Sequence, residues 1–236
     1  MIKRILILVI AIQFTGCAEL QNVVNQVSQS SNPLSQEQIG NGLREALDNG
    51  IKNQVSKLTA TDGFYKNDLV KIMLPAELKA VDSGLRKIGL SNLADEGIKV
   101  LNRAAEDAVK TATPIFVDAV KDMTFTDAKN ILLGNQNAAT SYLKGKTTDN
   151  LYASFSPVIK SSFSKVGADK VWSGLISKYN SIPFVKKVNP DLTTYVTTQA
   201  LSGVFTMIEV EEKAIREKAG LRNTALLQQV FALQDK

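Results

Sequence analysis

From Ile39 the apolar residues Leu43, Leu47, Ile51, Val55 and Leu58 recur every three or four positions, and similar spacing returns in segment after segment to the C-terminus. Residues so spaced fall on one face of a 3.6-residue helix, which commits the chain to amphipathic helices that bury their stripes against one another. Ser35 and Gln38 read as a capping box at the start of the first stripe, and Thr-Asp-Gly-Phe at 61–64 stops it.

Later segments carry their own punctuation. Pro75 opens a helix bearing Leu78, Val81, Leu85 and Ile88, which Gly89 ends. Ser91 caps the next, with Ile98, Leu101, Ala105, Ala108 and Ala112 on its face. Thr113 before Pro114 starts another, and Thr124 with Asp127 makes a capping box for one more. Residues 137–144 read as a short helix, with Gly145-Lys146-Thr147 as the turn after it. A separate segment from about Thr148 carries Leu151, Tyr152, Phe155, Ile159, Phe163 and Val166, interrupted or kinked by Pro157. Val171, Trp172, Leu175, Ile176 and Tyr179 mark the helix that follows, and 179–191 is the longest loop.

Asn189 then reads as the N-cap of a long helix over 190–218. The run TTYVTT at 193–198 favours strand by local propensity, but Leu192, Val196, Ala200 and Val204 keep a helical face. Glu209 with Lys213 and Glu212 with Arg216 are correctly oriented i,i+4 pairs, worth about 0.3 kcal/mol each. A last helix from about Asn223 presents Leu226, Leu227, Val230 and Phe231. There is no solenoid-period repeat and no alternating strand pattern. The expected fold is all-α: a single domain of about eight to ten helices over residues 35–236.

The first 34 residues follow a different logic. Lys3 and Arg4 precede the apolar run Ile5 to Ile12, and Thr15-Gly16 lead into Cys17, the only cysteine. A positive start, a short apolar stretch and small residues form the layout of a secretory signal. The run is about half the ~20 residues a spanning helix needs. Phe-Thr-Gly-Cys at 14–17 resembles the lipobox of bacterial lipoproteins, with Phe14 where an aliphatic residue is usual. The expected organisation is a signal peptide over 1–16, a lipid-bearing Cys17 and a polar tether through 34. The alternatives are an ordinary signal peptide with an incidental cysteine, or a buried thiol. Fully extended, residues 18–34 reach about 55–60 Å.

Losing Lys3 and Arg4 with such a signal takes the net charge from +5 to +3, with both signs interspersed, so no nucleic-acid partner is expected. The chain has no histidine, which removes Ser-His-Asp and Cys-His catalysis, the usual zinc sites and the non-haem iron triad. No metal and no cofactor are expected. What remains is chemistry on carboxylates, lysine, serine or tyrosine, or no chemistry.

Several phrases resemble one family: LNRAAEDAV at 101–109, PIFVDAVKDMTFTDAKNIL at 114–132, AATSYLKGKT at 138–147, DLTTYVT at 191–197 and LLQQVF at 226–231. They are similar to the bacterial lipoprotein family known as domain of unknown function 4197, over about Leu34 to Phe231. The resemblance implies a helical, exported, envelope-associated protein and brings no catalytic residues with it.

Four constellations invite a chemical reading. Ser162 and Lys165 have S-x-x-K spacing, but the S-D-N and K-T-G companions are missing. Gly145-Lys146-Thr147 lacks the earlier glycine and the strand of a phosphate loop. Glu106 and Asp107 beside Arg103, with Asp118, Asp122 and Asp127, could serve acid-base work on sugars, although Arg103, Glu106, Asp107 and Lys110 read as a solvated face. Tyr152, Phe155, Trp172 and Tyr179, with Phe163 and Phe184, could line a helical pocket for an apolar ligand or simply pack as core.

The leading expectation is a non-enzymatic interaction or accessory module held by lipid in the bacterial envelope, on the outer membrane facing the periplasm. Its partners would be the membrane and an envelope protein. Carriage of an apolar ligand and a carboxylate-dependent cell-wall enzyme are the alternatives.

Overall fold

The computed structural model describes residues 34–235, apart from 88, 90, 182, 185, 186, 188 and 190 and the side chains of 77, 80, 81, 84, 85, 93, 171, 175, 176, 178 and 179. Residues 1–33, and with them the expected signal peptide, Cys17 and the expected tether up to Leu34, lie outside the described residues. Every regular element among the described residues is helical: α1 (Gln36–Thr59), a 3₁₀ turn (Ala76–Leu78), α2 (Lys79–Lys87), α3 (Ser91–Val109), α4 (Ala112–Lys121), α5 (Phe125–Leu132), α6 (Ala138–Lys165), α7 (Ala168–Asn180), α8 (Leu192–Glu217), a 3₁₀ turn (Ala219–Leu221) and α9 (Ala225–Phe231). The all-α expectation holds, and Gln36–Lys236 is one compact unit.

The long helix α6 is the centre, packed most extensively on α8 and α3. Leu143, Thr147, Leu151, Phe155, Ile159 and Phe163, spaced by four, are all buried. This stripe explains why α6 runs unbroken for 28 residues, about 42 Å, where the sequence suggested two pieces. Pro157 sits on its exposed side, so the carbonyl it leaves unbonded one turn earlier, at Ala153, faces solvent, while burial of the opposite face continues through it. Gly145-Lys146-Thr147 is accordingly mid-helix and not a turn, with the Thr147 hydroxyl donating to the Leu143 carbonyl at 2.7 Å.

Around this centre, α1 packs against α4, α5, α8 and α9. The Thr-Asp-Gly-Phe stop works through close approach: a Cβ on Gly63 would lie 2.3 Å from the Lys57 carbonyl oxygen. Thr124 and Asp127 form the expected capping box of α5. α4 begins at Ala112 behind Thr111, so Pro114 occupies its first turn, where no N–H is required. TTYVTT is helical, with Val196 and Thr197 fully buried in α8. Its N-cap is Asp191, which accepts the Thr193 N–H at 2.8 Å, while Asn189 forms an Asx turn with the Asp191 N–H.

Candidate functional site

Where α6 ends, α7 begins and α8 starts, the three helix ends enclose a surface hollow of about 330 Å³. Gly167, at φ +67°, closes α6 in the left-handed conformation and lets α7 leave at once. Phe163 and Leu192 are buried and form the floor. Trp172, the only tryptophan, forms a wall. Its ring edge lies over α3 at Gly97, where a Cβ would come within 3.1 Å of Cζ2. The rim is charged, with Lys160, Asp169, Lys170 and Asp191.

The aromatic residues singled out in the sequence are only partly gathered here. Trp172 and Phe163 line the hollow. Phe155 is fully buried in the α6 core stripe and Tyr152 is half-buried on the same helix. Phe184 stands fully exposed at φ +64° in the α7–α8 loop. Tyr179 belongs to α7, and its side chain is outside the described residues.

A second, larger cleft of about 720 Å³ is walled by the α5–α6 turn, α8 and the C-terminal segment. Its floor is Arg216, whose five N–H donors are all engaged. Nε and Nη2 donate to Glu212 at 3.0 and 2.8 Å, Nη2 also to the Ile131 carbonyl, and Nη1 to the Leu132 carbonyl and Gln234. Glu212 in turn accepts the Ala139 and Thr140 backbone N–H groups at 2.9 and 2.8 Å, and the Thr140 hydroxyl. The guanidinium thus holds the C-terminal end of α5 and the carboxylate the N-terminal end of α6, each matching the helix dipole it meets. The sequence showed this pair only as an ordinary i,i+4 spacing; the EE-x₂-IR run carried no signal that Glu212 and Arg216 are buried.

Glu106 is also buried, at 4% exposure, which corrects its reading as part of a solvated face. One oxygen accepts the Phe64 N–H at 3.1 Å and the other the Arg103 guanidinium at 2.5 Å, while Arg103 also pairs with Asp62. Lys66 and Arg103 beside Asp62 hold its carboxyl below the usual range. These groups fix the chain reversal after α1. Asp107 and Lys110 do form an exposed pair at 2.7 Å. Ser162 donates to Asp107 at 3.4 Å and Lys165 is exposed, so the S-x-x-K pair is not assembled for catalysis. Asp127 is spent on its cap, and Asp118 pairs with Lys121 at 3.8 Å. Among the described residues no group of His, Cys, Asp and Glu is arranged to hold a metal ion, and no helix is long and apolar enough to cross a membrane.

Comparison with curated proteins and with solved structures gives no match. A family model does match, over residues 33–232, close to the span of the phrases in the sequence. The chain therefore belongs to the family described as Protein of unknown function (DUF4197).

Proposed function

We propose that the protein is a non-enzymatic accessory or interaction module of the bacterial cell envelope, anchored through lipid on Cys17 to the outer membrane and facing the periplasm. The observation that carries this reading is the N-terminal order of Lys3-Arg4, the apolar run Ile5 to Ile12 and Thr15-Gly16-Cys17. Each buried acyl methylene contributes about 0.8 kcal/mol, and more than one chain gives stable attachment without a spanning helix.

The engagement of the carboxylates supports the non-enzymatic part. Glycoside hydrolysis by two acids needs one held protonated by a raised pKa. The large cleft does contain two, Glu209 and Asp235. Glu209 is paired with Lys213 at 2.6 Å, and Arg222 holds Asp235 below the usual carboxylate range. That electrostatic arrangement suits a fixed surface better than proton transfer.

Globomycin should cause an unprocessed precursor to accumulate, and Cys17→Ala should move the protein from the membrane to the soluble fraction. An Ala variant that sediments with membranes as fully as the parent would overturn the anchoring.

A further inference from the structure

The hollow beside Trp172 has an apolar interior and a rim of two ammonium groups and two carboxylates that differ in how far local partners engage them. Its two carboxylates each hold local backbone or hydroxyl donors. Asp169 accepts the Lys170 N–H at 2.8 Å and the Ser164 hydroxyl at 3.0 Å, and Asp191 accepts the Thr193 N–H at 2.8 Å as the cap of α8. The Ser173 hydroxyl is spent on the Lys170 carbonyl at 3.2 Å. By contrast, neither Lys160 nor Lys170 has an ion-pair partner among the described residues, and the Trp172 indole N–H has no acceptor there. The rim groups without a local partner are therefore the two ammonium groups and the indole N–H, with the second oxygen of Asp191 beyond its cap bond. Sites of this size are mostly apolar, with a few polar groups that fix the orientation of a ligand. Here those groups would select charge.

We infer that this hollow binds an amphipathic organic anion, its apolar or aromatic body against Trp172, Phe163 and Leu192 and its carboxylate, sulfonate or phosphate between Lys160 and Lys170. An aromatic body gains from offset or edge-on contact with the indole, and the indole N–H can add one bond to the anionic end. Neutral apolar molecules would lack the contacts that the two ammonium groups offer. The inference is independent of lipid attachment at Cys17.

The test uses the full chain carrying Cys17→Ala, so that a failure of anchoring and a failure of binding are read separately. The probes are 8-anilinonaphthalene-1-sulfonate and its uncharged counterpart N-phenyl-1-naphthylamine, which share the ring system and differ in the sulfonate. Because Trp172 is the only tryptophan, energy transfer from it gives a single-donor signal of probe binding, and the lysine variants place the bound probe at the hollow. The expected result is saturable transfer to the sulfonate probe, with an affinity that falls about five- to tenfold in Lys160→Gln/Lys170→Gln and falls with ionic strength. The neutral probe should bind more weakly and respond to neither change. The circular dichroism melt of the double variant should match the parent, and each single variant gives a smaller step in the same direction. Equal affinity for the two probes, an unmoved affinity in the lysine variants, or no saturable transfer would each overturn the inference.

Discussion

Glu212 and Arg216, one turn apart on α8, share two hydrogen bonds at 3.0 and 2.8 Å while each binds the end of a different helix. Their side chains are 7% and 5% exposed. Removing one partner strands a buried charge, which costs about 3–5 kcal/mol. Glu212→Ala or Arg216→Ala should therefore lose that much in urea unfolding. Replacing both by leucine should not restore the loss, because the α5 carbonyls and α6 N–H groups remain without partners. Glu209→Ala, three residues before Glu212 and in the exposed pair with Lys213, should cost under about 1 kcal/mol. Equal costs for the two glutamates would refute this account of the network.

Asn102 acts on backbone alone. Its amide accepts the Ile72 N–H and donates to the Ile72 carbonyl, both at 2.8 Å, and so pairs α3 with the extended chain before α2. Asn102→Leu leaves two buried backbone groups unsatisfied and should cost about 3 kcal/mol. Amide exchange at Ile72 should accelerate far more than at α6 core positions; uniform acceleration through the molecule would contradict a local clamp.

Two glycines inside long helices should answer alanine with opposite signs. A Cβ on Gly203 in α8 would lie 2.7 Å from a Phe64 ring carbon and 3.2 Å from the Val70 Cβ. Overpacking there should outweigh the helix-propensity gain, for a net loss of about 1–2 kcal/mol. Gly145 in α6 meets nothing within 4 Å, so Gly145→Ala should stabilise by about 0.5–1 kcal/mol. Thermal melts of the two variants decide it, and a gain for Gly203→Ala would show that Phe64 has room to move.

Acid should weaken the fold through three carboxyls held below their ordinary range: Asp62 by Lys66 and Arg103, Asp127 by the Thr124 hydroxyl and N–H, and Asp235 by Arg222. A depressed folded pKa means the unfolded chain takes up protons first. The stabilisation is complete above the ordinary carboxylate range and disappears as pH falls through the depressed values. The melting temperature should drop over that interval, and Asp62→Asn or Asp235→Asn should flatten the drop. A profile that rises on acidification, or is as steep in the Asn variants, would remove these groups as its cause.

Much of this fold was legible in the sequence because the signals are local. The Thr124–Asp127 capping box depends on residues three apart, and the stop at Gly63 on a few consecutive ones. The face through Val196, Ala200 and Val204 outweighed the strand propensity of TTYVTT, since tertiary burial rewards a continuous stripe more than propensity resists it. The candidate hollow was legible only in part. Trp172 was singled out among aromatic residues, while the lysines and the buried floor at Leu192 that give the site its character come from three helices.

The sequence by itself determined that the chain is helical, where most helices begin and end, and that histidine chemistry is absent, because periodicity, caps and composition are properties of neighbouring residues. The tertiary structure alone decided that α6 passes through Pro157 unbroken, and that Glu106, Glu212 and Arg216 are interior. Each of those outcomes depends on partners distant in sequence, such as Arg216 with Ile131 and Glu212 with Ala139. A charge spaced for a solvated surface becomes a buried bridge only when packing brings it to a helix end whose backbone it can satisfy.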